Sequence, residues 1–460
     1  MVDEQNNIMS FINFVQTQDW SIKHFFTTTP LKSPFKLKPI GKSIHRVKDT
    51  MNILSDSFYK RITIKINNGG VFVRDTELGA NIKTKNQYYV QSGQLVVSKI
   101  DARNGAFGIV PIEAEKAIIT GNFWAYDVDK NQANIKYLVL VFSSNFFVQS
   151  WQDCSNGSGN RLYLQENKFL NCKIPFPTLE EQNILVRKYE NTLAEAEHCE
   201  KEVEHLKASI EEYLFNVLGI QPLREQVQAD RLLVFTSLNK LFKWGADYNI
   251  NAVNPKNIFL STKYKNVSIL NYCEINPTTK YPDSIEDISF IPMECVSDID
   301  GEIAYKKEGK VMSAKGYTRF QDNDVIWAKI TPCMQNGKSA VAKKLLNGFA
   351  YGSTEYHVFR SFENKALPEY IHCFLRTNRI RKIAQAYFTG SAGQQRVGSD
   401  FLEQLTLPLL PVSSTKNMLS QVEIVDHITE IKDQIKTLRK KVENLRERAK
   451  KEFEEAVFSQ

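Results

Sequence analysis

Two stretches of the chain carry apolar residues at alternating three- and four-residue spacing over many turns. In the first, Val186, Tyr189, Leu193, Ala196, Cys199, Val203, Leu206, Ile210, Leu214 and Val217 fall on one stripe. A stripe sustained for about four heptads predicts a coiled-coil helix rather than an ordinary surface helix. Thr178 and Glu181 form a T-x-x-E capping box, Pro175 and Pro177 stop helix upstream, and Gly219 closes the run. The pattern predicts one helix over 178–220, roughly 60 Å long at ~1.5 Å per residue. The second stripe, Val422, Val425, Ile428, Ile431, Ile435, Leu438, Val442, Leu445 and Ala449, predicts a helix of the same kind within 412–460, starting near Ser414 or Ser420.

Elsewhere the period falls to two. Ile62, Ile64 and Ile66 alternate with Thr63 and Lys65, which predicts a half-buried strand. Asn67 to Gly70 predicts a turn into a strand at Val71–Val73, Leu95–Val97 a buried strand, and Asn104-Gly105 a turn after which Phe107–Val110 pairs back. Residues 1–177 thus predict one strand-rich globular region, and 221–411 a second.

The second region repeats the first at an offset of about 230 residues. GQLVVSKI (93–100) matches NDVIWAKI (323–330), and Arg103-Asn104-Gly105 has its counterpart in Gln335-Asn336-Gly337. The segment 35–40 lies opposite 264–269, SNGSGNR (155–161) opposite TGSAGQQR (389–396), and Phe169 with IPFP (174–177) opposite Phe401 with LPLLP (407–411). Trp20 sits in a setting like that of Trp244. A repeat with units this long means two copies of one domain, not a solenoid.

Charge links the two helices. Between 180 and 212 there are ten glutamates against four Lys/Arg, and between 436 and 451 eight Lys/Arg against two glutamates. Two long helices that must each bury a seam are expected to pair antiparallel, with the opposite flanks setting register. The whole chain, 460 residues with net charge +7, leans toward a polyanionic partner. Its seven scattered cysteines contain no C-x-x-C, which argues against a disulfide framework and a zinc knuckle. No apolar run reaches about 18 residues, and the acidic start lacks the basic residues of a secretion signal. A reducing cytoplasm and no membrane are the expectation.

Several catalytic patterns fail on inspection. Asn276-Pro277-Thr278-Thr279 lacks the second proline and the aromatic of an N-P-P-[FYW] adenine methyltransferase motif. Gly41-Lys42-Ser43 and Gly337-Lys338-Ser339 lack the P-loop glycine five residues earlier, where Lys36 and Pro332 stand. Asp300 with Glu308 and Lys310 is too common a set to mark a nuclease. His198 and His205 flank the helix seam and read as a solvated face rather than metal ligands. Phe25-Phe26 and Tyr88-Tyr89 read as core packing before base stacking.

Two globules, each followed by a proline-punctuated helix start, resemble the specificity subunit of type I restriction–modification systems. The residues that carry the resemblance are IPFPTLEEQNILVRKYE (174–190), GQLVVSKIDARNGAFGIVP (93–111) and NDVIWAKITPCMQNGKSAV (323–341), together with the repeat. The second helix departs from the pattern, because no Glu-Gln follows Pro411-Val412-Ser413. The resemblance implies an α+β, pseudo-two-fold fold: target recognition domains at 1–177 and 221–411, separated by two long antiparallel coiled-coil helices at 178–220 and 412–460. It implies a non-catalytic subunit that reads a bipartite asymmetric site in double-stranded DNA and docks two methyltransferase subunits. Those partners would carry S-adenosylmethionine for adenine-N6 methylation, and restriction subunits, if present, would add ATP and Mg. Two other readings stay open on the residues alone: a self-contained DNA-modifying enzyme, and a coiled-coil protein-binding scaffold without a DNA role.

Arg and Lys suit guanine, and Asn and Gln suit adenine, through bidentate donor and acceptor geometry. The expected DNA-binding residues lie in the repeat-equivalent turns. In the first region they are Asn67, Asn68, Arg74, Lys83, Lys85, Gln87, Arg103, Asn104, Asn160 and Arg161. In the second they are Lys306, Lys315, Tyr317, Arg319, Gln335, Asn336, Lys338, Gln394, Gln395 and Arg396. Which touch bases and which hold phosphate stays open at this point. No catalytic or metal-binding residue is expected.

Overall fold

The structure is a computed structural model that describes residues 32–66, 69–158, 161–223, 253–391, 393–414 and 418–458. Trp20, Phe25, Phe26 and Trp244 lie outside the described residues. By contacts the chain divides into two units, Met1–Cys199 with Lys441–Gln460, and Glu200–Lys440.

The first unit contains strands β1 (Leu37–Pro39), β2 (Ile44–Val47), β3 (Asp49–Asn52), β4 (Phe58–Ile64), β5 (Val71–Leu78), β6 (Asn86–Val90), β7 (Leu95–Ser98), β8 (Phe107–Ile109), β9 (Ala117–Thr120) and β10 (Phe123–Val128). Helices α1 (Ile135–Phe142) and α2 (Asn145–Asp153), hairpin β11 (Ser155–Ser158) and β12 (Arg161–Leu164), helix α3 (Glu166–Asn171) and strand β13 (Lys173–Pro175) follow. A five-stranded sheet has the order β3-β6-β9-β4-β5, and a four-stranded sheet the order β2-β10-β7-β8. The expected alternation at Ile62 and Ile64 is present in β4. Ile66, however, lies in the turn beyond that strand and is 51% exposed, because pairing with β5 stops at Ile64.

The core of this unit is aromatic. Phe107, Phe142, Trp151 and Phe169 stack with ring centroids 5.5 to 6.5 Å apart. The Trp151 indole N–H is satisfied by the Phe142 carbonyl at 2.8 Å, as a buried indole requires. Phe453, Val457 and Phe458 enter the same core from the C-terminal helix.

The second unit contains β14 (Asn266–Ser268), β15 (Cys273–Ile275), β16 (Asp287–Ile291), β17 (Lys307–Lys310), β18 (Thr318–Gln321), β19 (Asp324–Ala328), β20 (Ser339–Val341), β21 (Phe349–Gly352) and β22 (Tyr356–Ser361). The long helix α4 (Leu179–Leu218) begins in the first unit and ends in the second. After β22 come α5 (Pro368–Arg376), α6 (Asn378–Gln385), α7 (Ser399–Glu403), β23 (Thr406–Pro408) and the last helix α8 (Gln421–Val457). One four-stranded sheet has the order β15-β22-β19-β20, and another the order β17-β16-β21-β18. Short pairs β1-β13 and β14-β23 close the respective units.

The two long helices pack antiparallel within each unit. In the first unit the Tyr189 and Phe453 rings lie 6.2 Å apart. Lys188 meets Glu452 at 3.1 Å, and Glu195 meets Lys441 at 2.9 Å. In the second unit Val203 packs with Ile431 and Ile435, and Tyr213 with His427. Glu195–Lys441 joins the acidic flank to the basic one, whereas Lys188–Glu452 runs the other way. Helix α4 starts at the expected Thr178–Glu181 box, in which the threonine N–H and hydroxyl each donate to the glutamate at 2.8 Å. Gly219 ends it with φ of 64°, the left-handed conformation a C-terminal glycine supplies at least cost.

Helix α8 starts at Gln421, capped by Ser420, whose N–H and hydroxyl donate to Glu423 at 2.8 and 2.7 Å. The seam at its start uses the fully buried Ile424.

The missing Glu-Gln has a structural substitute. Buried Gln182, inside α4, donates to the carbonyls of Pro177 and Gln132 at 2.9 and 3.2 Å and accepts from the Asn134 N–H at 2.9 Å. Buried Gln421, at the first position of α8, donates to the carbonyls of Leu410 and Lys365 at 3.1 and 3.0 Å and accepts from the Leu367 N–H at 2.9 Å. Asn134 and Leu367 are the residues before α1 and α5, so each glutamine ties a long helix to the start of a domain helix.

Candidate nucleic-acid interface

In the first unit the five-stranded sheet presents a cleft of about 390 Å³ lined by Arg74, Lys83 and Gln87, together with Arg61, Thr63, Thr84 and Thr120. Three expected residues therefore converge. They are unequal. Gln87 is 4% exposed, and its amide donates to the Thr84 carbonyl at 3.0 Å, so it shapes the cleft wall. Arg74 is exposed and donates to Asp75 at 3.0 Å. Lys83 is exposed, with no hydrogen bond from its ammonium among the described residues. Arg61, not expected from the sequence, holds Asp75 through two bonds of 2.6 and 2.9 Å and reaches Glu77 at 3.2 Å. The Arg61 guanidinium, with Arg74 beside it, keeps the Asp75 carboxyl below its usual range.

Lys85 donates to the Gly79 carbonyl. Arg103 and Asn104 sit on the short turn before β8, Arg103 half-buried and Asn104 exposed, and Gly105 closes that turn at φ 76°. Asn67, Asn68 and Asn160 lie outside the described residues. Arg161 opens β12. Tyr88 and Tyr89 are half-buried on β6 and pack on two apolar clusters, which is the core reading.

In the second unit, the turn after β19 and the segment before α7 meet. The Thr331 N–H donates to the Gln395 carbonyl at 2.9 Å, and Ile330 bridges Arg396. This brings Gln335, Asn336, Gln394, Gln395 and Arg396 to one corner. Arg396 is committed there: two bonds of 2.8 and 2.7 Å bind both oxygens of Glu355. Lys338 is committed too, to the carbonyls of Met293 and Val296 at 3.0 Å each. The Gln335 amide reaches Gln385 at 3.3 Å, and Asn336 is exposed, with no side-chain hydrogen bond among the described residues.

The other four expected residues lie toward the second sheet. Lys306 caps the carbonyls of Lys343 and Lys344. Lys315 is exposed, Tyr317 stands edge-on to Phe290 and Tyr351, and Arg319 lies over the Tyr281 ring at 5.1 Å.

Two lysines escaped the sequence reading although they end the matched strands GQLVVSKI and NDVIWAKI. Lys99 and Lys329 each follow a central strand, and each offers its carbonyl to a returning segment, from Leu164 N–H at 2.8 Å and Val397 N–H at 3.0 Å. Their shared place in the motif was the available signal. Among the described residues no cluster of His, Cys, Asp and Glu is arranged to hold a metal, and no helix is long and apolar enough to cross a membrane.

Comparison with known proteins falls on the same ground. Residues 33–204 match the family described as type I restriction modification DNA specificity domain. The type I restriction enzyme EcoEI specificity subunit of Escherichia coli is 37% identical over 148 residues, 32% of this chain and 25% of that one. The EcoAI specificity subunit of Escherichia coli is 35% identical over 153 residues, 33% of this chain and 26% of that one. The chain thus covers about a quarter of the length of these relatives. Its fold is similar to that of a solved chain from work on complex assembly and conformational transition of the type I R-M system. That similarity has a TM-score of 0.56 at 15% identity and covers 93% of this chain and 99% of that one. The similarity in sequence is thus to DNA specificity domains over 33–204, and the similarity over nearly the whole chain is one of fold.

Proposed function

We propose that the chain recognises a DNA sequence for a type I restriction–modification complex and performs no catalysis itself. What carries the reading is the specificity-domain match over 33–204, which contains the whole cleft formed around Arg74, Lys83 and Gln87. The recognition domains are 1–177 and 221–411, joined by spacer helices within 178–220 and 412–460, and they are two copies of one domain. The matching strand orders β2-β10-β7-β8 and β15-β22-β19-β20 support the duplication. So do the paired hydrogen bonds from Tyr137 to Pro175 and from Tyr370 to Pro408, at 3.0 and 2.9 Å. Two domains with different turn residues suit an asymmetric, bipartite site in double-stranded DNA. Of the twenty polar and basic residues named from the sequence, those whose side chains the fold leaves exposed and unclaimed, such as Lys83 and Asn336, are the proposed base contacts.

The partners are two methyltransferase subunits docked on the long helices and, where the system restricts, restriction subunits. S-adenosylmethionine, ATP and Mg belong to those partners. The test is methylation mapping with the purified chain, a partner adenine methyltransferase, and both together. Methylation at a split site only when both are present is the expected outcome. Methylation by the chain alone would overturn the adaptor reading, and a complex that neither binds nor methylates DNA would favour the scaffold.

A further inference from the structure

The second unit has a cleft of about 460 Å³ whose polar wall is Asn276, Thr278, Thr318, Arg319, Lys329 and His357. Among the described residues none lining it is acidic, in a chain with 52 Asp and Glu. An acid-free cleft with two cations is a site for an anion unless its charges are spent elsewhere. They are not. Arg319 rests on the Tyr281 ring and has no carboxylate partner among the described residues. The Lys329 ammonium has neither an ion pair nor a hydrogen bond among the described residues. Glu355, whose backbone carbonyl accepts from the Lys329 N–H at 2.9 Å, has both carboxylate oxygens bound to Arg396.

The remaining polar groups are set in place. Asn276 takes φ of 54°, and its side chain forks to the Val358 N–H at 3.1 Å and to His357 Nδ1 at 3.1 Å. His357 Nε2 lies 2.9 Å from the Val397 carbonyl, so it carries the proton and Nδ1 accepts. Burial, with Lys329 close by, holds that ring neutral by pushing its pKa down.

The first unit has a lysine in the same place. Lys99 follows β7 as Lys329 follows β19, and its ammonium lies 5.4 Å from the Trp124 ring. Arg46 flanks that ring at 5.4 Å and pairs with Glu166 at 2.7 Å, and the Tyr126 hydroxyl donates to the same carboxylate at 3.1 Å. Lys99 makes no ion pair among the described residues; burial and Arg46 pull its pKa below the ordinary lysine value, against a smaller opposing pull from Glu166.

We propose that the Lys329 cleft, and the corresponding corner at Lys99, are phosphate sites that take a phosphodiester of the DNA backbone and fix the domain on the duplex without reading bases. This rests on the DNA-recognition reading. A lysine is a compact point charge that suits phosphate, and phosphate contacts set register rather than sequence. The threonine hydroxyls and the Arg319 guanidinium add donors.

The experiment is a salt titration of DNA affinity with the full chain assembled with its methyltransferase subunits. It compares wild type with Lys329→Ala, Lys329→Arg and Lys99→Ala, on cognate and unrelated duplexes, with a parallel calorimetric titration by inorganic phosphate. Each alanine variant is expected to reduce the slope of log affinity against log salt by about one, equally on both duplexes. Lys329→Arg should restore the slope. An unchanged slope in the alanine variants, with wild type binding normally, overturns the phosphate sites alone. A change on the cognate duplex only would make Lys329 a base reader and overturn them as well. Lysine-dependent uptake of inorganic phosphate with DNA affinity untouched would assign the cleft to a free anion and overturn the DNA assignment. Wild type that binds neither duplex defeats the DNA-recognition reading itself.

Discussion

Asp324 and Arg360 face each other across β19 and β22, joined by two bonds of 2.8 and 2.7 Å, with the Asp324 side chain 1% exposed. The first unit has Gln94 and Asp127 at the matching register, bonded at 3.0 Å. The same lattice point thus holds a charged pair in one unit and an amide–carboxylate pair in the other. Asp324 also accepts from the Gln321 N–H at 2.8 Å, so its carboxylate is fully engaged. Arg360→Ala leaves that buried charge uncompensated and is expected to destabilise the second unit by about 3–5 kcal/mol. Chemical denaturation read by Trp327 fluorescence would measure it. A loss below about 1 kcal/mol would mean the pair is solvated.

The buried glutamines lead to a second prediction. Gln182→Ala removes a group that satisfies two carbonyls and one N–H, and Gln421→Ala does the same in the second unit. Each group left unpaired in a buried place costs about 1–3 kcal/mol. Both variants should unfold at lower denaturant concentration, while Gln404→Ala, which removes an exposed amide whose one bond among the described residues is to the Asp400 carbonyl, should stay close to wild type.

The capping boxes give the helices a pH dependence. Hydrogen bonds from Thr178 to Glu181, and from Ser420 to Glu423, lower both glutamate pKa values below the ordinary 4.5. A depressed carboxylate contributes stability that is fully present above its unfolded value and is lost as pH falls through its folded value. Helix content by circular dichroism should therefore hold down to pH 4.5 and fall below it. The Thr178→Ala, Ser420→Ala double variant should lose about 1 kcal/mol per cap at neutral pH and show a weaker acid transition.

The helices were legible because their signals are local. Thr178, Glu181 and Gly219 act within one turn of their own backbone, and a seam declares its period over many residues. The antiparallel pairing could be inferred because Glu195 and Lys441 belong to long runs of opposite charge. The last helix is expected to reach 460, but its packing into the first unit's core is not legible from a seam ending at Ala449, although Phe453 and Val457 continue the spacing. Gln421 was missed for another reason: it fills the role of Gln182 from a different helical position, and only hydrogen bonds reveal that equivalence. The candidate site was legible as a set of turns but not as individual roles. Nothing in the sequence near Lys338, Gln87 or Arg396 tells whether a polar side chain will be claimed by the fold, since the carbonyls and carboxylates that claim them lie 3 to 45 residues away.

Lys338 and Asn336 make that distinction testable within one turn. The Lys338 ammonium holds two carbonyls of the 293–296 segment at 3.0 Å, whereas Asn336 projects into solvent two residues earlier. Lys338→Ala strips a donor from two carbonyls and should destabilise the second unit by about 1–3 kcal/mol, leaving the relative preference among DNA sites unchanged. Asn336→Ala should stay within about 0.5 kcal/mol of wild type in stability, as surface substitutions do. If it touches an adenine edge, the loss of its bidentate amide should relax preference at one base pair by about 1–3 kcal/mol. Competition binding against single-base variants of the site, with denaturation curves on the same two proteins, measures both quantities. Altered base preference in Lys338→Ala at undiminished stability would reverse the assignment of the two residues.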